Sequence, residues 1–177
     1  MYRIVAAILC LQEHRRVLIE EFERYRPSCC PHCGSSELWS HGSYTRQADR
    51  NPGGENNPVP IPRFYCKKCY RTCSRLPSCI SPHRWYSWKQ QQEVLIGLLS
   101  KMSLNAMAEQ FTPGRDTCRR WWQWLKEKTL IFKSYLCSAD ATLGRVPNDD
   151  AFWELCFQHH GLESAMTWLD QHGVVVP

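Results

Sequence analysis

Cys30 and Cys33 bracket Pro31-His32 in "CCPHCG", and Cys66 and Cys69 bracket a lysine pair in "CKKC", with 32 residues between the two pairs. A Cys-x-x-Cys turn brings two sulfurs to one metal while backbone amides point at them. Gly34 suits the tight turn that must follow Cys33. Four thiolates at about 2.3 Å from one ion make a closed site, with no coordination position left for chemistry. The expectation is one structural Zn2+ held by Cys30, Cys33, Cys66 and Cys69. Cys29 could replace Cys30 but lacks its two-residue gap to Cys33. Cys73, three residues beyond Cys69, is the stand-in for a second-pair ligand. His32 and His41 read as loop and strand residues. A redox Cys-x-x-Cys would stand alone in a strand–helix setting. A nucleobase deaminase would need His-x-Glu, which does not occur here.

A second set of residues carries recognition chemistry. In "TPGRDTCRRWWQWLKEK", Arg115, Thr117, Arg119 and Arg120 would lie on the exposed first turns of a helix. Arginine offers a two-pronged donor fork matched to guanine or phosphate, and threonine reaches either a base edge or a phosphate. The chain's net charge of +5 is unevenly spread. Residues 1–59 balance seven basic against seven acidic, residues 60–135 hold fourteen against four, and residues 136–177 one against six. A positive field concentrated on the middle third selects polyanions. Arg63, Lys67, Lys68, Arg71 and Arg75 are the expected phosphate contacts on the cysteine-bearing part.

These groups need elements to hold them. Residues 1–28 read as an apolar strand or short helix, then one amphipathic helix, "EHRRVLIEEFERYR", stopped by Pro27. Val17, Leu18, Phe22 and Tyr25 share its apolar side, which serves packing or dimerisation. Residues 29–76 form the zinc ribbon, with strands in "ELWSHGSYTRQ" and "IPRFYC" separated by the turn-rich "NPGGENNPVP". A ribbon this small cannot bury enough apolar surface to fold alone, so the metal replaces a core. Residues 77–88 are a proline-punctuated linker in which Trp85, Tyr86 and Trp88 staple the next helix to the ribbon.

Residues 89–128 are expected to be a helix-turn-helix domain. Ser87 caps a helix with Val94, Leu95, Leu98 and Leu99 inward, and Ser103 caps a second carrying Leu104, Met107, Ala108 and Phe111. The third begins at Thr112 with Pro113 in its first turn. Trp121, Trp124 and Leu125 anchor it, leaving its opposite side to a major groove. Residues 129–177 read as an acidic helical extension, with helices in "AFWELCFQHH" and "LESAMTWLDQHG", available to a partner protein. His159, His160 and His172 stand there with no carboxylate at a recognised offset. The fold class is α+β: a small zinc-ribbon β element, a three-helix domain and a C-terminal helical extension.

Hydrophobic content of 43% with 22% charged residues describes a globular chain. No apolar run reaches the roughly 18–20 residues of a membrane span, and "MYRIVAAILCLQEHRR" lacks the cationic leader of a signal peptide. Eleven cysteines, an odd number, fit a reducing cytoplasm better than a disulfide scaffold. The remaining seven are expected as small buried hydrophobes.

With those residues in view, the sequence resembles bacterial transposase-related proteins that join a zinc ribbon to a helix-turn-helix. The resemblance runs over roughly residues 29–125. It is carried by Cys30-Pro-x-Cys33-Gly34, Leu38-Trp39-x-His41-Gly42 and Ile61-Pro62-Arg63-Phe64-x-Cys66-x-x-Cys69. The Leu76–Ser87 bridge and Met102-Ser103-Leu104…Met107-Ala108 extend it. It implies a grip on the terminal sequences of a mobile element or on an operator, hence double-stranded DNA as partner and association with the nucleoid. Full transposases of this kind continue into a ribonuclease-H-like domain with three metal-binding carboxylates. Here about 50 residues follow residue 128, too few for a domain of ordinary size. The expectation is a non-catalytic DNA-binding accessory of transposition, with a transposase as possible protein partner, or a transcription regulator. The alternative is a zinc-stabilised protein–protein adaptor that uses the terminal helices.

Overall fold

The computed structural model describes residues 3–47, 57–82 and 86–176. Arg84, Trp85 and most of the turn-rich loop after the first ribbon strand lie outside them. The fold is α+β, as expected. In chain order come β1 (Ile4–Val5), α1 (Leu11–Glu20), a 3₁₀ turn (Phe22–Tyr25), β2 (Leu38–Arg46), β3 (Val59–Cys66), β4 (Thr72–Ser74) and β5 (Leu76–Pro77). The helical body follows: α2 (Trp88–Leu99), α3 (Leu104–Gln110), α4 (Arg115–Ala139), a 3₁₀ turn (Ala141–Arg145), α5 (Asp149–His159) and α6 (Gly161–Gln171). None of the described helices is long and apolar enough to cross a membrane.

The expected single helix over residues 13–26 is broken. Glu21 leaves helical geometry, with φ −138°, and the chain tightens into the 3₁₀ turn. The break lets Tyr25 fold back beneath α1 and meet buried His14, Nδ1 to hydroxyl, at 2.5 Å. In an unbroken helix these residues would stand about 16 Å apart along the axis. The His14 Nε2–H donates to the Pro60 carbonyl at 2.9 Å, so Nδ1 accepts from Tyr25. Val5, Ile8, Val17 and Tyr25 cover the inner side of the ribbon, where Leu38, Phe64 and Cys73 face them.

The ribbon is a three-stranded antiparallel sheet in the order β2-β3-β4, with Leu38 opposite Cys66 and Arg46 opposite Val59. Its register shifts between Ser40 and Ser43, where Gly42 turns to φ +66°. Central β3 tolerates Pro60 and Pro62 because β4 pairs only with Arg63 to Tyr65. A separate two-stranded pair, β1 parallel to β5, joins the N-terminus to the far end of the ribbon.

The helical body has its own core. Ser87 and Ser103 cap α2 and α3 as expected, Ser87 in a reciprocal capping box with Gln90. Val94, Leu95, Leu98 and Leu99 point inward. Gly97 lets the two helices approach: a Cβ there would meet Met107 Sδ at 2.5 Å. The third helix departs from expectation at both ends. Gly114, not Thr112, caps it, and it runs 25 residues rather than stopping at 128. Its buried stripe (Cys118, Trp121, Leu125, Thr129, Phe132, Leu136) continues at helical spacing past the charged Lys126-Glu127-Lys128, with no glycine or proline to end it.

The expected boundary at residue 128 therefore falls inside α4, and the C-terminal helices share its core. Trp153 sits among Phe132, Phe152 and Phe157, and its indole N–H donates to the buried Thr129 hydroxyl at 2.9 Å. Several contacts tie the ribbon and its flanking segments to the body. Ile4 enters the helical core, buried Asp170 of α6 accepts the backbone N–H groups of Arg3 and Ile4 at 2.7 Å, and the Trp88 indole donates to the Ser78 carbonyl at 2.8 Å. Trp88 thus ties the start of α2 to the linker rather than to the ribbon itself, while Tyr86 packs edge-on against Trp121.

Candidate functional site

Two tight turns at one end of the ribbon gather the four expected cysteines. After Cys30, the Gly34 N–H returns to the Cys30 carbonyl at 2.8 Å, and Gly34 takes φ +73°. The second turn repeats this: Tyr70 N–H returns to the Cys66 carbonyl at 2.9 Å, with Tyr70 at φ +59°. A tyrosine in the left-handed region is strained, and nothing in its residue type announces the turn. The sulfurs of Cys30 and Cys69 stand 3.6 Å apart, as do those of Cys33 and Cys66, and all four lie within 4.8 Å of one another. A tetrahedron with metal–sulfur bonds of about 2.3 Å has edges of about 3.8 Å. The four cysteines can hold a metal ion.

The local field favours thiolate at Cys66, whereas burial pushes the Cys69 thiol up to about 12. Backbone N–H groups of Cys69 and Lys68 point at the Cys66 sulfur and draw its pKa down to about 7. The His32 N–H reaches Cys30 Sγ at 3.4 Å. Both ambiguities of the sequence resolve. Cys73 lies in β4 opposite Phe64, buried in the ribbon core, where burial pushes its thiol up. Cys29 and the two nearby histidines stay outside the cluster, His41 lying against the Tyr65 ring at 5.7 Å. Of the other cysteines, Cys118 and Cys156 are buried as expected, whereas Cys10 is exposed and caps α1.

The N-terminal half of α4 presents the second set. Cys118, Trp121 and Leu125 are locked inward, so Arg115, Asp116 and Arg120 face solvent, with Thr117 and Arg119 half-exposed beside them. The Gly114 cap offers no side chain to the first-turn N–H groups, and the Thr117 N–H returns to the Gly114 carbonyl at 2.9 Å. Arg119 pairs with Asp116 at 3.0 Å, and the Arg120 guanidinium donates to the Thr117 hydroxyl at 3.1 Å. The fork of each arginine is thus held along the helix surface.

On the ribbon, Lys67, Lys68 and Arg71 are exposed at the second cysteine turn. Lys67 Nζ lies 3.7 Å over the exposed Trp39 ring, and Arg63 lies 5.9 Å from the centre of Tyr44. Arg75 is different. It is drawn inward, where burial lowers its pKa and the charge of Asp170 partly compensates. It belongs to the junction between ribbon and body rather than to the exposed cationic surface.

One constellation escaped the sequence. Asp140, at the end of α4, meets His159 Nδ1 at 3.1 Å and His160 Nε2 at 3.0 Å through a single carboxylate oxygen. His172 stacks on Trp168 at 4.1 Å and takes no part. The carboxylate lies 19 and 20 residues upstream, an offset that no local motif encodes.

A four-cysteine cluster that could hold a metal ion sits on a β-ribbon, joined to a helical body that presents a basic helix N-terminus. By sequence the chain belongs to the family described as a domain of unknown function (DUF6431), whose model matches residues 30–121. That span begins at the first cluster cysteine and ends at Trp121, so it takes in ribbon, linker and basic helix start. No curated protein and no solved structure shows a match to the chain.

Proposed function

We propose that this is a zinc-dependent, sequence-specific binder of double-stranded DNA that does no chemistry of its own. The observation carrying the reading is the start of α4. Its inner side is fixed in the core while Arg115, Thr117, Arg119 and Arg120 line the outer side, directly after the short α3 and a four-residue turn. That order of helices suits a recognition helix entering a major groove. The exposed Lys67, Lys68 and Arg71 add charge for phosphates, and Arg63 stands at the flank. Four sulfur donors in a near-tetrahedral set fit Zn2+, with Cys30, Cys33, Cys66 and Cys69 holding it. Bound there, the ion supplies the folding energy that the ribbon's small core lacks. Together with the resemblance to transposase-related proteins, this makes the chain an accessory or regulatory component of a mobile element, or a transcription regulator.

The test is a set of binding isotherms on duplexes taken from the DNA flanking the chain's own gene. R119A/R120A should lose preference among duplexes, whereas K67A/K68A should weaken binding to all of them alike. Unchanged affinity and preference in R119A/R120A would reject the helix assignment. A second reading, a protein–protein adaptor, draws on exposed Leu130, Ile131 and Tyr135 on the C-terminal half of α4. It expects no duplex binding and a stable complex through residues 129–177.

A further inference from the structure

Asp140 closes α4 and opens the next 3₁₀ turn, where one of its oxygens, Oδ1, accepts both the backbone N–H and the hydroxyl of Thr142 at 2.9 and 2.5 Å. The other oxygen, Oδ2, is left facing two imidazoles. His159 ends α5, His160 lies between α5 and α6, and Gly161 at φ +73° reverses the chain. The reversal turns adjacent histidines toward the same point, one by Nδ1 and the other by Nε2. The three donor atoms lie within 4.8 Å of one another. We propose that Asp140, His159 and His160 form a second metal site, separate from the cysteine cluster, for a borderline divalent transition ion such as Zn2+, Ni2+ or Co2+.

Distance, orientation and access agree with such a site. Bonds of about 2.1 Å to nitrogen and oxygen set ligand-to-ligand separations of roughly 3.0 Å at right angles and 3.4 Å in a tetrahedron. The observed N···O separations of 3.0 and 3.1 Å already match the first. Little movement is needed to admit an ion. The Thr142 contacts fix the carboxylate from behind, the arrangement that outer partners give to ligating carboxylates. A neutral imidazole binds a metal through its bare nitrogen, so each ring must carry its N–H on the other nitrogen. Those nitrogens, His159 Nε2 and His160 Nδ1, meet no protein acceptor among the described residues. The histidine side chains are 40% and 37% exposed and the carboxylate 17%, which leaves an open approach for a hydrated ion.

Three protein ligands leave further positions for water or an outside group. Two imidazoles and one carboxylate favour borderline ions over Mg2+ or Ca2+, which prefer all-oxygen sets. The ion would bind the C-terminus of α4 to the α5–α6 turn, at the opposite end of α4 from its arginines.

The experiment is a Co2+ titration of the untagged full-length chain with zinc retained in its cysteine cluster, followed by calorimetry and visible absorption. One further equivalent should bind, with weak d–d bands and without sulfur-to-metal charge-transfer bands. H159Q/H160Q should lose that equivalent, H172Q should keep it, and T142V should weaken it about 10–100-fold. Circular dichroism of each variant separates loss of a ligand from loss of fold. The proposal is overturned if the wild-type chain takes up no further ion, if correctly folded H159Q/H160Q still binds one, or if charge-transfer bands reveal entry into the cysteine cluster.

Discussion

Removing the metal from the cysteine cluster should unfold the ribbon and leave the helical body standing. On the ribbon side one cluster has nine buried apolar residues, three of them cysteines, and a second has four (Val59, Ile61, Leu76 and Ile80), against 22 in the helical core. Metal binding in comparable small elements supplies roughly 10–16 kcal/mol near neutral pH, a gain of the same order as the gross burial of those side chains at about 2 kcal/mol each, most of which the entropy of ordering the ribbon cancels. Among the described helices only α1, with 10 residues, packs on the ribbon, while α2 to α6 hold 12, 7, 25, 11 and 11. A strong chelator, or C66S, should therefore lower the far-ultraviolet helical signal by about one eighth rather than abolish it. The helical body would also lose Ile4, whose burial contributes about 2 kcal/mol. For a body of about 90 residues that lowers its melting temperature by roughly 10 °C. The assay is circular dichroism at 222 nm during chelation and then during heating. Complete loss of helix on chelation would refute the independence of the two cores, and an unchanged spectrum would refute the dependence of the ribbon on metal.

Two further outcomes follow from single contacts. Burial lowers the pKa of His14 below its ordinary 6.5, so below that pH the unfolded chain takes up a proton that the fold does not. Stability should hold above pH 6.5 and fall beneath it, by at most about 1.4 kcal/mol per pH unit from this residue; denaturant melts from pH 7.5 to 5.5 should show a shallower decline in H14Q than in the wild-type chain. T129V removes the acceptor of the buried Trp153 indole N–H, which should cost about 1–3 kcal/mol in chemical denaturation, with T129S close to wild type.

The cysteine cluster was readable because covalent spacing does most of the work: a two-residue gap nearly dictates that both sulfurs reach one point. Helix starts at Ser87 and Ser103 were readable for a similar reason, since capping is a local exchange between a hydroxyl and an N–H three residues on. The continuation of α4 is hidden in the sequence because Lys126-Glu127-Lys128 looks like the polar end of a helix. The stripe beneath it, Thr129, Phe132 and Leu136, keeps helical spacing and decides the matter once α5 and α6 are there to cover it. Non-local pairings left no local mark. The β1–β5 pair joins residues 72 apart, Tyr25 folds under α1 for the sake of His14, and Asp140 reaches its histidines only through tertiary packing. Arg75 reads like its exposed neighbours in sequence, and only the junction with α6 draws it inward.

The most direct test of zinc-dependent DNA binding is fluorescence anisotropy of a labelled duplex with the zinc-loaded full-length chain at two salt concentrations, repeated after chelation. The logarithm of the binding constant should fall with log salt by about 0.9 per phosphate contacted, and affinity should drop markedly once the metal is stripped. Zinc-loaded protein that ignores the duplex at low salt, or binds it equally well with and without metal, would contradict zinc-dependent DNA binding.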